Sequence, residues 1–490
     1  PVPRFGAPMP AAVITAAGIG APNLGTGVAT GSVSASDADG DTLSFSGSTT
    51  AKGTAVVSAN GAITYTPTTT ARHAAAKLTA TQADKADTFT VTVSDGRSGT
   101  ASTPLTVAIA PVNAAPTGTA NAGLPDAVTG VVAGALIGAD LDGDALAYSG
   151  TTTTSKGTVT VSPTGGFTYT PTALARHIAG LSGATQADTT DTFTVTIVDG
   201  YGGTANVPVT VAVAPAGITF NFVYGTGSQY WTPEARAALN TAATRLASSI
   251  VVDKPVTVTY DVVGDNDIAS GWIGTSYAKF SSNRAGYFGN VVQNLIITGV
   301  DSNGTATDSQ IGMNFAYPWA LGDTVPRNQY DFQSVATHEL VHTLGIMTGL
   351  GSPTSIDRNW TTYDSYLVTV SGIDPIGADY VWNSTYTPNL TGANGGLYFA
   401  GPNAVAAYGG PIPIYTPGTR ASGTSLVHLD PADAPPGTTY LMDPTDGFGL
   451  GVRTPTAVEL AMLQDLGYTV YQPATVFFFG IGLLRRRRRS

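Results

Sequence analysis

The first 215 residues are written twice. Asp87-Thr-Phe-Thr-Val-Thr-Val-Ser-Asp-Gly96 returns as Asp191-Thr-Phe-Thr-Val-Thr-Ile-Val-Asp-Gly200, Tyr65-Thr-Pro67 as Tyr169-Thr-Pro171, Ala71-Arg-His73 as Ala175-Arg-His177, and Thr81-Gln-Ala-Asp84 as Thr185-Gln-Ala-Asp188, all at an offset of 104 residues. A period that long is one folding unit used twice. Inside each unit apolar residues alternate with Thr or Ser, as in Phe89, Val91, Val93 and in Leu105, Val107, Ile109. That is the period of a strand buried on one face, and Gly, Asp and Asn turns separate the runs. Two all-β sandwiches follow, over 1–115 and 116–215.

At 490 residues the chain needs about three folded units. The third is expected over 216–472, where all five tryptophans lie. Thr232-Pro233-Glu234 reads as N-cap, first-turn proline and first-turn acid, and Leu239, Ala242, Leu246 and Ile250 continue as a helical stripe. Apolar alternating runs at 218–222 and 256–262 flank it, so the domain opens as strand, helix, strand, an α+β beginning. Over 473–490 an apolar run, Ala474 to Leu484, meets the cluster Arg485 to Arg489. Eleven helical residues span about 16 Å, short of a bilayer core of about 30 Å, so no stable transmembrane span is expected. In outline this resembles a bacterial C-terminal sorting tail, although Gln472-Pro473-Ala474 stands where the Pro-Glu-Pro form is usual and the helix is short; the plain reading is a frayed amphipathic end.

The chemistry is concentrated in His338-Glu339-Leu-Val-His342. Asp331 is placed to cap a helix and Gly345 to end it. On that helix positions i and i+4 share a face, so both imidazoles can address one ion, with Glu339 one step around and free to accept a proton from water the metal activates. The chain has no cysteine, so any metal relies on His, Asp or Glu, and disulfides and thiolates are excluded. Of five histidines, His73 and His177 are equivalent repeat positions and read as shared fold residues. That leaves His338, His342 and His428, the three protein ligands a catalytic Zn²⁺ needs. Only Glu234, Glu339 and Glu459 exist, so a glutamate third ligand is nearly excluded. Asp357, Asp364 or Asp374 remain as aspartate alternatives, and His428 as an ordinary surface histidine.

With those residues in place, 216–470 resembles the metzincin clan of zinc peptidases: His338, Glu339, His342 and Gly345 fit, but Thr348 stands where the compact subgroups have their third histidine. The leishmanolysin-like arrangement is closer, with an insertion from Ile346 to Val427 before His428. The resemblance implies a methionine turn at Leu441-Met442-Asp-Pro444, with a core methionine as the plain alternative, and a closing helix opened by Thr454-Pro455. Asp430 would be a partner for a ligand ring or a loop residue.

The repeats resemble bacterial cadherin-like domains. Asp37-Ala-Asp39-Gly-Asp41 and Asp140-Leu-Asp142-Gly-Asp144 space carboxylates as a Ca²⁺ loop could use them, though not as an EF-hand, since Gly is fourth rather than sixth. A polar turn between strands is the equal alternative.

The fold expected is therefore multidomain, two all-β sandwich repeats followed by an α+β metzincin-like zinc peptidase domain. The function implied is a secreted or cell-surface endopeptidase of bacterial-type export acting on a polypeptide substrate, its repeats serving as spacers or contacts to cell-surface or matrix polymer. A net charge of −11 that includes the five terminal arginines argues against nucleic acid as a partner. The rival is a non-catalytic adhesin or structural protein, against which the intact Glu339 argues.

Overall fold

A computed structural model describes residues 11–350, 358–420, 423–435, 437–445 and 447–472, so the expected tail and Asp357 lie outside the described residues. The chain divides into two compact units. One comprises the chain up to Leu124 with Val132–Tyr169 and Thr192–Val211; the other takes Pro125–Val131, Thr170–Asp191 and the chain from Ala212. No helix among the described residues is long and apolar enough to cross a membrane.

The first repeat is a sandwich. One antiparallel sheet runs in the order Val13–Ile19, Ala29–Ser36, Ala62–Pro67, Gly53–Val57, and the other in the order Ser44–Gly47, Ala86–Ser94, Thr100–Ala108. Alternation assigns the faces: Ala29, Val33, Ala55, Ile63 and Tyr65 from one sheet meet Phe89, Val91, Val93 and Val107 from the other. Thr88 and Thr106 pair on the outside at 2.9 Å. Each large buried apolar side chain contributes about 1.5–3 kcal/mol. The second repeat has the same strands in the same two orders.

The shared Ala-Arg-His motif divides its roles. Arg72 donates to the carbonyls of Ala110, Gly25 and Leu24, each at 2.9 Å, and Arg176 donates to those of Ala214 at 3.0 Å and Val128 at 2.7 Å. Gly27 and Gly130, at φ +78° and +73°, leave room for those guanidinium groups. Both histidines make fold contacts, with different partners. His73 Nε2 lies 2.9 Å from Asp144 and its ring stacks on Tyr201, whereas His177 Nε2 meets the carbonyl of Ser248 at 3.1 Å. One residue beyond the arginine, each ring leaves its own repeat and takes the partner that the following segment supplies.

In the second unit a mixed sheet has Ile218–Tyr224, Val256–Asp265 and Ser309–Asn314 parallel, with Gly274–Ala278 antiparallel at one edge. The helix Pro233–Ala247, capped by Thr232, makes the crossover between the first two strands and buries Ala235, Leu239, Ala242 and Leu246. The helix Phe332–Thr343 packs into the same core as these elements. All its residues are buried, which is why its sequence lacks a clean polar face. The long insertion has a small core of its own, built on Trp360, Ile376, Trp382, Leu390, Leu397 and Leu426. The closing helix is Ala457–Asp465 and starts later than Thr454-Pro455 suggested, because Thr456 and Glu459 form a capping box.

Candidate metal centre

Asp331 opens the site helix by accepting from the backbone N–H groups of Gln333 and Ser334, at 3.1 and 3.3 Å, and its other oxygen takes Arg453 Nε at 2.7 Å. At the other end Gly345 stands at φ +112°, a left-handed conformation costly to a side chain. The turn it permits brings the Ile346 carbonyl to 2.8 Å from His342 Nδ1.

The three histidines converge. Nε2 of His338 is 2.9 Å from Nε2 of His428 and 3.2 Å from Nε2 of His342, and the third separation is 3.3 Å. Every Nδ1 faces a backbone carbonyl: Leu441 at 2.7 Å for His338, Ile346 at 2.8 Å for His342, Thr424 at 2.6 Å for His428. A carbonyl only accepts, so each Nδ1 carries the proton and each Nε2 presents a lone pair to the other two. Three lone pairs cannot satisfy one another, and a tetrahedral Zn²⁺ at 2.0–2.1 Å would hold its nitrogens about 3.4 Å apart. The donor set fits that ion. Burial, and then charge on His338, depress His342 to about 3, and burial with charge on both neighbours depresses His428 well below the usual range. These two rings are thereby kept in the neutral form that ligates.

Glu339 is buried beside this triad, and Ser276 Oγ donates to its Oε2 at 2.8 Å. Ser276 lies on the edge strand, two residues from Gly274. A Cβ at 274 would sit 2.8 Å from Glu339 Oε1, so the strand leaves space at one inward position and offers a donor at the next.

The insertion returns His428 through contacts that its sequence does not advertise. Asp364, buried, accepts from Thr348 Oγ1 at 2.6 Å, Gly349 N at 2.8 Å and both N and Oγ1 of Thr361. Burial raises its carboxyl and these bonds oppose the rise. The neighbouring Tyr363 hydroxyl donates to the Leu426 carbonyl at 2.9 Å, and Tyr415 N donates to the His428 carbonyl at 2.9 Å. Leu426, fully buried, is held at φ +76°, a strained conformation for a branched residue. Leu429 N then donates to the Met442 carbonyl at 2.9 Å, so that Met442, fully buried, lies on a turn tied to the segment carrying the third histidine.

Among the aspartate alternatives, Asp364 is committed to the loop and Asp374 accepts from Ile376 N. Asp430 caps the turn at Pro431–Asp433 by accepting from Ala432 N; backbone carbonyls, not Asp430, orient the rings. Sequence reasoning missed Ser276, Tyr363 and Glu459, and considered Asp364 only as an alternative ligand. Only Glu459 carried a local signal, the Thr456-x-x-Glu459 spacing.

The acidic loops differ from one another. Asp37 and Asp140 each fold their loop by accepting from two backbone N–H groups, those of Asp39 and Asp41 and those of Asp142 and Asp144. In the first, Arg97 Nε lies 3.2 Å from Asp41. In the second, Asp140, Asp144 and Asp199 bring carboxylate oxygens within 4.8 Å of one another. Oδ2 of Asp140, Oδ2 of Asp144 and Oδ1 of Asn113 are buried there with no hydrogen-bond partner, three such oxygens against the single Oδ2 of Asp37 in the first loop. Asn113 Nδ2 reaches Asp199 Oδ2 at 2.7 Å, and Ala114 N reaches Asp142 Oδ2 at 2.7 Å. Orphaned oxygens around carboxylates fit a hard cation such as Ca²⁺. Burial works to lower the His73 ring, but the hydrogen bond and charge of Asp144 and the charge of Asp142 outweigh it and raise it.

Residues 10–111 and 109–215 each match the family model of the bacterial cadherin-like domain, so the two sandwiches are bacterial cadherin-like domains. No curated protein matches the chain. Similar solved structures include Sidekick-1 immunoglobulin domains 1–5, at 13% identity over 44% of this chain and 43% of that one, with a TM-score of 0.22. Protocadherin gamma B2 cadherin domains 1–5 align at 15% over 40% and 39%, TM-score 0.22, and an endo-fucoidan hydrolase of glycoside hydrolase family 107 at 17% over 43% and 30%, TM-score 0.19. The chain spans less than half the length of each of these three.

Proposed function

We propose that the domain over 216–472 is an α+β zinc-dependent endopeptidase of the metzincin clan, leishmanolysin-like in its ligand order, with His338, His342 and His428 as ligands and Glu339 as general base. The observation that carries this reading is the meeting of three Nε2 lone pairs within 3.3 Å, each ring's other nitrogen tied to a carbonyl, beside a buried glutamate. Zn²⁺ held there supplies the Lewis acidity that activates water and polarises a scissile carbonyl. Glu339 takes the proton from the attacking water and passes it to the leaving amine. Ser276, donating to Oε2, fixes the orientation of that carboxylate. The strand Gly274–Ala278 ends the sheet, and its outer edge suits an extended polypeptide added as a further strand. Gly345 serves as the helix end and Met442 as the methionine turn beneath the ligands.

The cadherin-like domains support a secreted or cell-surface protein in which the repeats hold the peptidase near a cell-surface or matrix polymer. Purified protein is expected to contain about one zinc per chain and to digest casein, with activity lost to a chelator and restored by zinc. A zinc-loaded preparation that leaves casein and a peptide library intact would overturn the peptidase reading in favour of the adhesin.

Within the repeats, the Ca²⁺ reading belongs to the second loop, with Asp140, Asp144, Asp199 and Asn113 as ligands and Asp142 steadying the linker. The first loop has Arg97 as its cation. Calcium titration is therefore expected to find one site rather than two, lost in Asp199→Asn or Asp144→Asn and unchanged in Asp41→Asn. At a hundred times its dissociation constant the ion adds about 2.7 kcal/mol to unfolding, read from denaturant midpoints. An equal loss of binding in Asp41→Asn would place the ion elsewhere.

A further inference from the structure

Glu459 is one of three glutamates in the chain, and it is completely buried although its helix starts beside the exposed residues Thr454 and Ala457. A capping box asks only that a residue at this position accept from the N-cap N–H, which Glu459 Oε2 does from Thr456 at 2.6 Å. Such boxes work in solvent, and burying a carboxylate for this bond alone is unfavourable. The second oxygen is engaged elsewhere, since Oε1 accepts from Met442 N at 2.6 Å.

The Met442 N–H and the Leu441 C=O belong to one peptide group. In a trans peptide they point in opposite directions, and the carbonyl receives the proton of His338 Nδ1 at 2.7 Å. A carboxylate on the N–H side pushes electron density toward the carbonyl oxygen. That strengthens its bond to the imidazole and makes the far nitrogen a better ligand.

We infer that Glu459 is a positioning residue for the metal centre, acting on His338 through the single peptide Leu441–Met442. This rests on the zinc reading proposed above. The same turn also holds the third histidine, because the Met442 carbonyl accepts from Leu429 N. Glu459 thus orients one ligand through this peptide and braces the segment that carries another. The carboxylate does not touch the reacting atoms, and its effect is on affinity and ligand field.

The test is zinc affinity by chelator competition in the full chain, with the absorption bands of the Co²⁺-substituted protein. Glu459→Gln is expected to weaken zinc by about 10–100-fold and to shift the cobalt bands. Thr456→Ala, which removes the capping hydroxyl but not the Met442 bond, is expected to change neither. A folded Glu459→Gln protein with wild-type affinity and an unmoved cobalt spectrum overturns the inference, as does an equal loss in Thr456→Ala. If wild-type protein itself binds no zinc, it is the metallopeptidase reading that fails. Should Glu459→Gln not fold, ¹⁵N-methionine labelling of the wild type decides. The Met442 amide proton, assigned with Met442→Leu, is expected to move downfield on zinc loading further than those of the other methionines, and no such movement overturns the relay.

Discussion

Glu339→Gln is expected to keep its zinc and lose about 10²- to 10⁴-fold in kcat/KM on casein, the range that a positioned general base contributes. The amide matches the carboxylate in shape, and its oxygen can still accept from Ser276 Oγ, which stands 2.8 Å from Oε2. What it cannot do is take a proton. The loss should therefore fall on kcat rather than KM, because proton transfer occurs only as the transition state forms. None of the three Nε2 atoms is displaced by the change, so zinc content by metal analysis should match the wild type. Activity at the wild-type level in this variant would remove Glu339 from its role.

His428→Ala is expected to lose stoichiometric zinc, with affinity falling by more than the roughly 100-fold that loss of an outer partner can cost, and to lose caseinolysis with it. His428 supplies the third corner of a triangle whose other two lie one helical turn apart, and its Nε2 is within 3.3 Å of both. No other His, Asp or Glu among the described residues joins that group. His73→Ala and His177→Ala are the controls. His73 faces Asp144 and His177 faces the Ser248 carbonyl, so both should retain zinc and activity. Full zinc occupancy in His428→Ala, or its loss in either control, would break the proposed ligand set.

The two classes of feature differ in how far they could be read in one dimension. The sandwiches were legible because a strand's faces alternate every residue, so Phe89, Val91 and Val93 declare themselves inward, and a repeat confirms the unit by copying it. The His338–His342 pair was legible for the same kind of reason, since four residues make about one turn and the cap and stop residues are local. The equivalence of His73 and His177 marks both as fold residues but does not give their partners, because identical positions in a repeat share a backbone but not the neighbours beyond it. Asp430 caps a loop turn, and carbonyl groups, which no sequence distinguishes from one another, orient all three rings.

By itself, then, the sequence determined the elements that close on themselves within a turn or a strand: the repeated sandwiches, the capped site helix, two histidines on one face and a glutamate beside them. Only the tertiary structure decided how the chain, 86 residues after His342, brings His428 back. That return depends on Asp364, Tyr363, the strained Leu426 and the Leu441–Met442 peptide under Glu459. The physical reason is that local order follows from the geometry of adjacent residues. A long loop's closure instead balances its entropy against bonds whose two halves lie far apart in the chain.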